Sequence, residues 1–129
     1  MIRRIALALC LVAGPVAANP PLAEQTEISE GLIAAAIAYE IGDKCGSLDA
    51  RLIRGIAFLN GLRSRASQLG YSDAEIDAYM DDRAEKRRLE AVARQRLRDL
   101  GGVEGDWATY CTIGNAQMAA GTQIGQLLR

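Results

Sequence analysis

Apolar residues recur at helical spacing along most of this chain, and that spacing restricts the fold more than any other feature. In residues 48–69 the mean interval between apolar positions is about 3.5, which is typical of a helix packed along a seam. The positions are Leu48, Leu52, Ile56, Leu59, Leu62, Ala66 and Leu69. Almost no segment alternates polar and apolar residues as a half-buried strand does. The sequence therefore predicts an all-α fold.

Glycines and helix-capping residues divide the chain into four main helices, which we expect to form a compact bundle. Glycine marks each of the four helix ends, and a short polar side chain marks each start. The ends are Gly46, Gly70, Gly101 and Gly121, and the starts are Thr26 or Ser29, Ser47, Ser72 and Asp106. The predicted helices cover residues 27–44, 48–69, 73–100 and 106–120.

The first predicted helix is apolar nearly all round, which places it at the centre of the fold. Its main stripe is Ile33, Ile37, Ile41 and Cys45. The fourth helix has a narrower stripe, which comprises Trp107, Cys111, Gly114 and Met118. Inside the second helix, Gly55 and Gly61 each cost about 1 kcal/mol relative to alanine. We interpret these two glycines as points where a neighbouring helix crosses closely.

The third predicted helix has a well-defined start and an inconsistent apolar face. Ser72 and Glu75 have the spacing of a capping box. Ile76 and Met80 lie on one stripe, whereas Leu89, Ala93, Leu97 and Leu100 point about half a turn away. Residues 81–88, between the two stripes, are almost wholly charged. Either the helix bends there, or it stays straight and different partners cover its halves.

The N-terminus has the pattern of a secretory signal peptide. Arg3 and Arg4 precede a short apolar run that ends in small residues, and cleavage is expected after Ala18. The run is too short to cross a membrane, so the mature chain is expected to have no transmembrane segment. Lipid attachment at Cys10 is disfavoured because the residue before a lipid-modified cysteine is expected to be small, whereas Leu9 precedes Cys10. The predicted organisation is a signal peptide over 1–18, an extended or disordered leader over 19–26, and one helical domain over 27–129.

Two cysteines, Cys45 and Cys111, remain after cleavage, and an exported chain meets an oxidising compartment. A pair of cysteines there indicates a disulfide. Closing this loop of 67 residues is expected to stabilise the fold by about 4 kcal/mol. The alternative is two free, buried thiols.

The residue types present exclude much chemistry. The chain has no histidine, which excludes Ser-His and Cys-His catalysis and histidine-bound zinc. Asp73, Glu75 and Asp77 imitate the start of a calcium loop, but Ala78 and Ala84 stand where glycine and glutamate are required. We therefore expect no catalytic residue, no metal and no cofactor. Removal of Arg3 and Arg4 leaves 13 basic and 16 acidic side chains, a net charge of −3, so no nucleic-acid partner is expected.

A basic segment is the candidate partner-binding site. Residues 83–98 contain seven basic and two acidic side chains, which favours an acidic protein partner or anionic headgroups at the membrane surface. The candidates are Arg83, Lys86, Arg87, Arg88, Arg94 and Arg98. The alternative is a solvated helix face with no partner.

Several segments together resemble a family of small exported bacterial proteins that is catalogued only as a domain of unknown function. They are residues 48–53, 61–66 and 69–79, the region of Cys111, and the ending 121–129. The resemblance covers nearly the whole mature chain. It implies an exported protein with no assigned activity and no assigned catalytic residues.

The sequence therefore predicts a periplasmic, non-enzymatic module that binds an unknown protein partner or serves as an accessory protein. An alternative is a stress-type periplasmic holdase chaperone, by analogy of fold class with small acid chaperones that have a single disulfide.

Overall fold

A computed structural model describes residues 13–14 and 18–129, so the predicted signal peptide lies almost entirely outside the described residues. A 3₁₀ turn over Leu22–Glu24 precedes six helices. These are α1 (Thr26–Lys44), α2 (Leu52–Gln68), α3 (Asp73–Met80), α4 (Arg83–Asp99), α5 (Trp107–Ala120) and α6 (Gln123–Gln126). Since the described residues form no strand, the prediction of a helical fold is confirmed.

Helix α1 lies at the centre, as its apolar sequence predicts. It packs against α2, α4, α5, α6 and the 3₁₀ turn. Its predicted stripe is buried throughout and joins the main core, where Leu89, Ala93 and Leu97 of α4 meet it. Gly31 lets Leu62 of α2 approach closely, since a Cβ at Gly31 would lie 2.7 Å from Leu62 Cδ2.

The segment predicted as a third helix forms two helices, because Asp82 starts a new one. Asp82 Oδ1 accepts a hydrogen bond from the Glu85 backbone N–H at 2.7 Å, which caps α4. The capping box of Ser72 and Glu75 at the start of α3 is confirmed. Ile76 of α3 joins a second, smaller core, whereas α4 packs on the main core. The two halves of the predicted helix therefore pack on different cores of the molecule, which accounts for the change in the direction of the apolar face between α3 and α4.

The predicted disulfide between Cys45 and Cys111 is present and joins the end of α1 to α5, with a Cα–Cα distance of 5.2 Å. Cys45 is buried and Cys111 is half-buried.

Helix α2 begins at Leu52, so the predicted start at Leu48 is wrong. The preceding residues pair with the C-terminal tail: Asp49 N–H donates to Arg129 O at 2.8 Å, and Arg51 N–H donates to Leu127 O at 2.8 Å. We call residues 127–129 the strap. Leu48 is buried although it is not helical.

The leader predicted as extended or disordered over 19–26 docks on the second core. Leu22 is buried there. The hydroxyl of Tyr71 donates to Pro20 O and accepts from Gln25 Nε2 at 2.9 Å. Thr26, the final residue of the predicted leader, already belongs to α1.

Two finer expectations are wrong. Nothing among the described residues lies within 4 Å of a Cβ built on Gly55 or Gly61, so neither glycine marks a crossing inside the chain. The buried residues of α5 are Tyr110, Ile113 and Gly114, whereas Met118 is exposed. The predicted stripe was therefore rotated relative to the true buried face.

Candidate functional site

The most prominent surface feature is an apolar patch formed by the N-terminal half of α2 together with Tyr39 of α1. Ile53 is 87% exposed, Leu52 67%, and Ile56 and Tyr39 61% each. We call these four residues the α2 face. Exposed apolar patches on a protein of this size mark interaction sites more often than single exposed residues do.

The α2 face is exposed because α2 has more apolar surface than the rest of the molecule covers. Its two buried residues, Leu62 and Ala66, both lie in its C-terminal half. Ile53 and Leu62 are nine residues apart, which is about 180° around a helix. Burial of Leu62 against Gly31 therefore turns Ile53 outwards.

A groove of about 770 Å³ lies beside the α2 face, between α1, α2, α3 and α4. Its apolar lining includes Leu32, Ala35 and Ala36 of α1, together with Leu59, Met80, Leu89 and Ala93. Since two of the α1 residues are alanines, the backbone of α1 lies close to the groove surface. We call this feature the α1 groove.

Charged side chains surround the α1 groove. Lys86, Glu90 and Arg94 stand four residues apart along α4, and all three line the groove. None of the three makes an ion pair within 4.0 Å among the described residues. Glu40 lies on the α1 side. The groove therefore presents an apolar surface beneath a row of alternating, unpaired charges.

The structure separates the six predicted partner-binding residues into three groups. Lys86 and Arg94 line the α1 groove. Arg88 is paired with Glu85, at 2.9 Å between Nε and Oε2, and this bond lowers the pKa of Glu85. Arg83, Arg87 and Arg98 share one exposed face of α4, and Arg98 contacts Glu104 at 3.3 Å. Two of the six candidates therefore line the α1 groove, and the other four lie outside it.

Salt bridges fasten α1 to its neighbours on the opposite side from the groove. Arg96 of α4 binds Glu30 through two hydrogen bonds of 2.5 and 2.7 Å, and these bonds lower the pKa of Glu30. Arg65 of α2 binds Glu27 through Nε alone, which donates to both carboxylate oxygens at 3.0 and 2.9 Å. These contacts hold α2 and α4 on either side of α1 and so define the width of the groove.

One buried polar group has no hydrogen-bond partner among the described residues. The hydroxyl of Tyr110 lies in the main core, and burial raises its pKa. Trp107 packs edge-on against the Tyr110 ring, with ring centroids 5.1 Å apart. Tyr110 therefore belongs to the core rather than to a surface site.

Within residues 13–14 and 18–129, no three histidine, cysteine, aspartate or glutamate side chains are grouped closely enough to hold a metal ion. In the same part of the chain, no helix has the length and apolar character needed to cross a membrane.

A protein-family model described as "Family of unknown function (DUF5333)" matches residues 20–129. The chain belongs to DUF5333. The matched residues of this DUF5333 chain include the whole α2 face and the whole α1 groove. No curated protein matches the chain. No solved structure matches it either.

Sequence reasoning missed the α2 face, although a signal for it was present. The helical spacing predicts that Leu52, Ile56 and Leu59 pack along one seam with Leu62 and Ala66, whereas Leu52, Ile56 and Leu59 are exposed. Ile53 lies about 100° from Leu52 around the helix, so the apolar part of α2 is wider than one packing seam requires. That excess width is the observation that points to an uncovered face.

Proposed function

We propose that this protein is an exported, non-enzymatic binding or accessory module that holds an amphipathic helix of a partner protein in the α1 groove. The observation that carries the proposal is the open apolar groove with unpaired charges along its α4 wall. Helix-in-groove binding uses this combination of an apolar floor and a polar rim.

The small residues of α1 determine what fits. Packed helix axes lie about 8–10 Å apart, and the distance depends on the side chains at the contact. Because Ala35 and Ala36 have small side chains, the axis of an incoming helix can lie at the short end of that range from the axis of α1. Leu59 and Leu89 would then contact the sides of the incoming helix. The groove therefore suits a helix better than an extended peptide, whose unpaired backbone groups would need a sheet edge.

The charges of the α4 wall indicate the polarity of the partner. Lys86 and Arg94 lie on either side of Glu90, so a partner helix with two carboxylates about two turns apart would meet both cations. Arg83, Arg87 and Arg98 lie outside the groove and would raise the rate of encounter with an acidic partner. The partner expected is an amphipathic helix with an acidic flank.

Location in the periplasm is part of the proposal. The N-terminal pattern of basic, apolar and small residues supports export. The Cys45–Cys111 disulfide is consistent with it, since disulfides persist in oxidising compartments.

A photo-crosslinking amino acid at Ala36, on the groove floor, tests the proposal in the cells that produce the protein. We expect one discrete adduct, whose crosslinked peptide is an amphipathic helix with acidic residues. The matched control is the same amino acid at Ala116, which is exposed on α5. Equal adducts from both positions, or none from Ala36, would refute groove binding.

Charge reversal supplies a second readout. The double variant Lys86→Glu/Arg94→Glu should abolish the Ala36 adduct, because the two groove cations without an ion pair become repulsive, whereas the third, Arg63, is paired with Asp77. Arg83→Glu/Arg87→Glu makes the same change of charge outside the groove, so the adduct should form more slowly but should still form. Loss of the adduct in both double variants would assign binding to net charge rather than to the groove.

A further inference from the structure

The α2 face meets the α1 groove at Tyr39, which lines both, but Leu52, Ile53 and Ile56 lie outside the groove and the proposed function does not use them. Leu52 and Ile53 line a shallow hollow of about 930 Å³ on the other side of Tyr39 from the groove. The hollow is bordered by charged side chains of both signs: Asp43 and Asp49 are acidic, and Arg51, Arg54 and Arg129 are basic.

We propose that the α2 face binds the α2 face of a second copy of this chain, which forms a symmetric dimer. The proposal goes beyond the binding of a partner helix in the groove and does not depend on it. Three features of the surface favour a second copy.

The first feature is size. From their exposed fractions, the four residues of the α2 face present on the order of 600 Å² per copy, against about 800 Å² per partner in a standard protein interface. The surrounding charged residues supply the remainder. Two such faces in contact therefore have the area that a specific dimer needs.

The second feature is the arrangement of charge. In a symmetric dimer, if a residue away from the two-fold axis contacts a second residue of the other copy, the reverse contact forms as well. A surface with both acids and bases around an apolar centre can therefore be complementary to itself. Asp43, Asp49, Arg51 and Arg54 are all exposed around the α2 face. An anionic lipid surface would offer partners to Arg51, Arg54 and Arg129 but none to Asp43 and Asp49, whereas a second copy offers charges of both signs.

The third feature is rigidity. The backbone of residues 49–51 is hydrogen-bonded to the strap, and Cys45 is covalently bound to α5. The base of the α2 face is therefore fixed before association, which lowers the entropic cost of binding.

Sedimentation equilibrium of the natural protein, purified without detergent, tests the proposal. We expect a monomer–dimer equilibrium, and we expect Ile53→Glu to raise the dissociation constant at least about tenfold, because it places a carboxylate in the apolar centre. Met118→Glu is the matched control, since it introduces the same charge on exposed α5 and should leave association unchanged. A wild-type protein that stays monomeric up to millimolar concentration would refute the dimer.

Charge-reversal variants identify the partner as a second copy. Asp43→Lys/Asp49→Lys makes the border of the α2 face wholly basic, and Arg51→Glu/Arg54→Glu makes it mainly acidic, with Arg129 still basic. Each variant alone should associate more weakly than the wild type, and an equimolar mixture should form a heterodimer. Failure of the mixture to associate would overturn the proposal, as would vesicles with anionic headgroups binding the wild-type monomer through Ile53. Neither result affects the groove crosslinks, so the two proposals fail separately.

Discussion

Tyr110 and Tyr71 are both buried, but they differ in what their hydroxyl groups bind. The Tyr71 hydroxyl bridges Pro20 and Gln25 and so fastens the leader to the second core. The Tyr110 hydroxyl has no partner among the described residues. A buried polar group without a partner loses its hydration and gains nothing in return. The two tyrosines therefore make opposite contributions to stability.

Tyr110→Phe should leave the free energy of unfolding unchanged or raise it by up to about 1 kcal/mol, since it removes only an unpaired hydroxyl. Tyr71→Phe is the matched control and should lower it by about 1–2 kcal/mol, because two hydrogen bonds are lost. Chemical denaturation followed by circular dichroism measures both changes. A loss of more than 1 kcal/mol in Tyr110→Phe would show that this hydroxyl has a partner, such as a buried water.

The helix boundaries that depend on neighbouring residues could be predicted from the sequence, whereas those that depend on contacts with distant segments could not. The capping box at Ser72 and the glycine after α5 are read from adjacent residues, and both boundaries are confirmed. The start of α2 depends on the strap, which lies far along the sequence from Asp49 and Arg51. Local periodicity cannot detect such pairing, so Leu48 was assigned to a helix.

The break between α3 and α4 depends on one side chain. Asp82→Ala removes the cap of α4 and should cost about 1 kcal/mol of stability, with faster hydrogen exchange in the first turn of α4. Asp81→Ala changes the adjacent exposed aspartate and should stay within about 0.5 kcal/mol of the wild type. Equal effects from both variants would contradict the role of Asp82 as the cap.

The candidate site could be predicted only in part. Lys86 and Arg94 were identified from the basic run, but the groove that they line requires α1, α2 and α3 to be packed around it. The sequence contains the apolar residues of the α2 face without indicating which of them the fold leaves uncovered. Both features depend on how α2 is oriented against Gly31, which is a property of tertiary packing.

For the whole molecule, the disulfide should supply a large share of stability. Cys45 and Cys111 are 66 positions apart, and replacing both by alanine should lower the free energy of unfolding by about 4 kcal/mol. Denaturation of the variant beside the oxidised wild type measures the loss. The reduced wild type should have the same free energy of unfolding as the variant. A difference below 1 kcal/mol between the unfolding free energies of the oxidised and reduced wild type would contradict the expectation.

Acid should weaken the attachment of α4 to α1. The hydrogen bonds from Arg96 lower the pKa of Glu30 below its ordinary value of 4.5. The stability that ionised Glu30 contributes is therefore complete above pH 4.5 and is lost as the pH falls through the lowered pKa. Thermal unfolding between pH 6 and 3 should show Tm falling with pH. Glu30→Gln, which cannot ionise, should show a shallower fall; an unchanged slope would assign the acid sensitivity to other carboxylates.

The disulfide also determines how the molecule responds to mechanical force. A chain pulled from both termini would bear load only through the residues up to 45 and from 111 onwards. Helices α2, α3 and α4 lie inside the covalent loop and cannot be stretched until the sulfur–sulfur bond is reduced. These three helices would therefore add no length while α1 and the part of α5 after Cys111 were extended, and reductant would lengthen the unravelled chain in a single step.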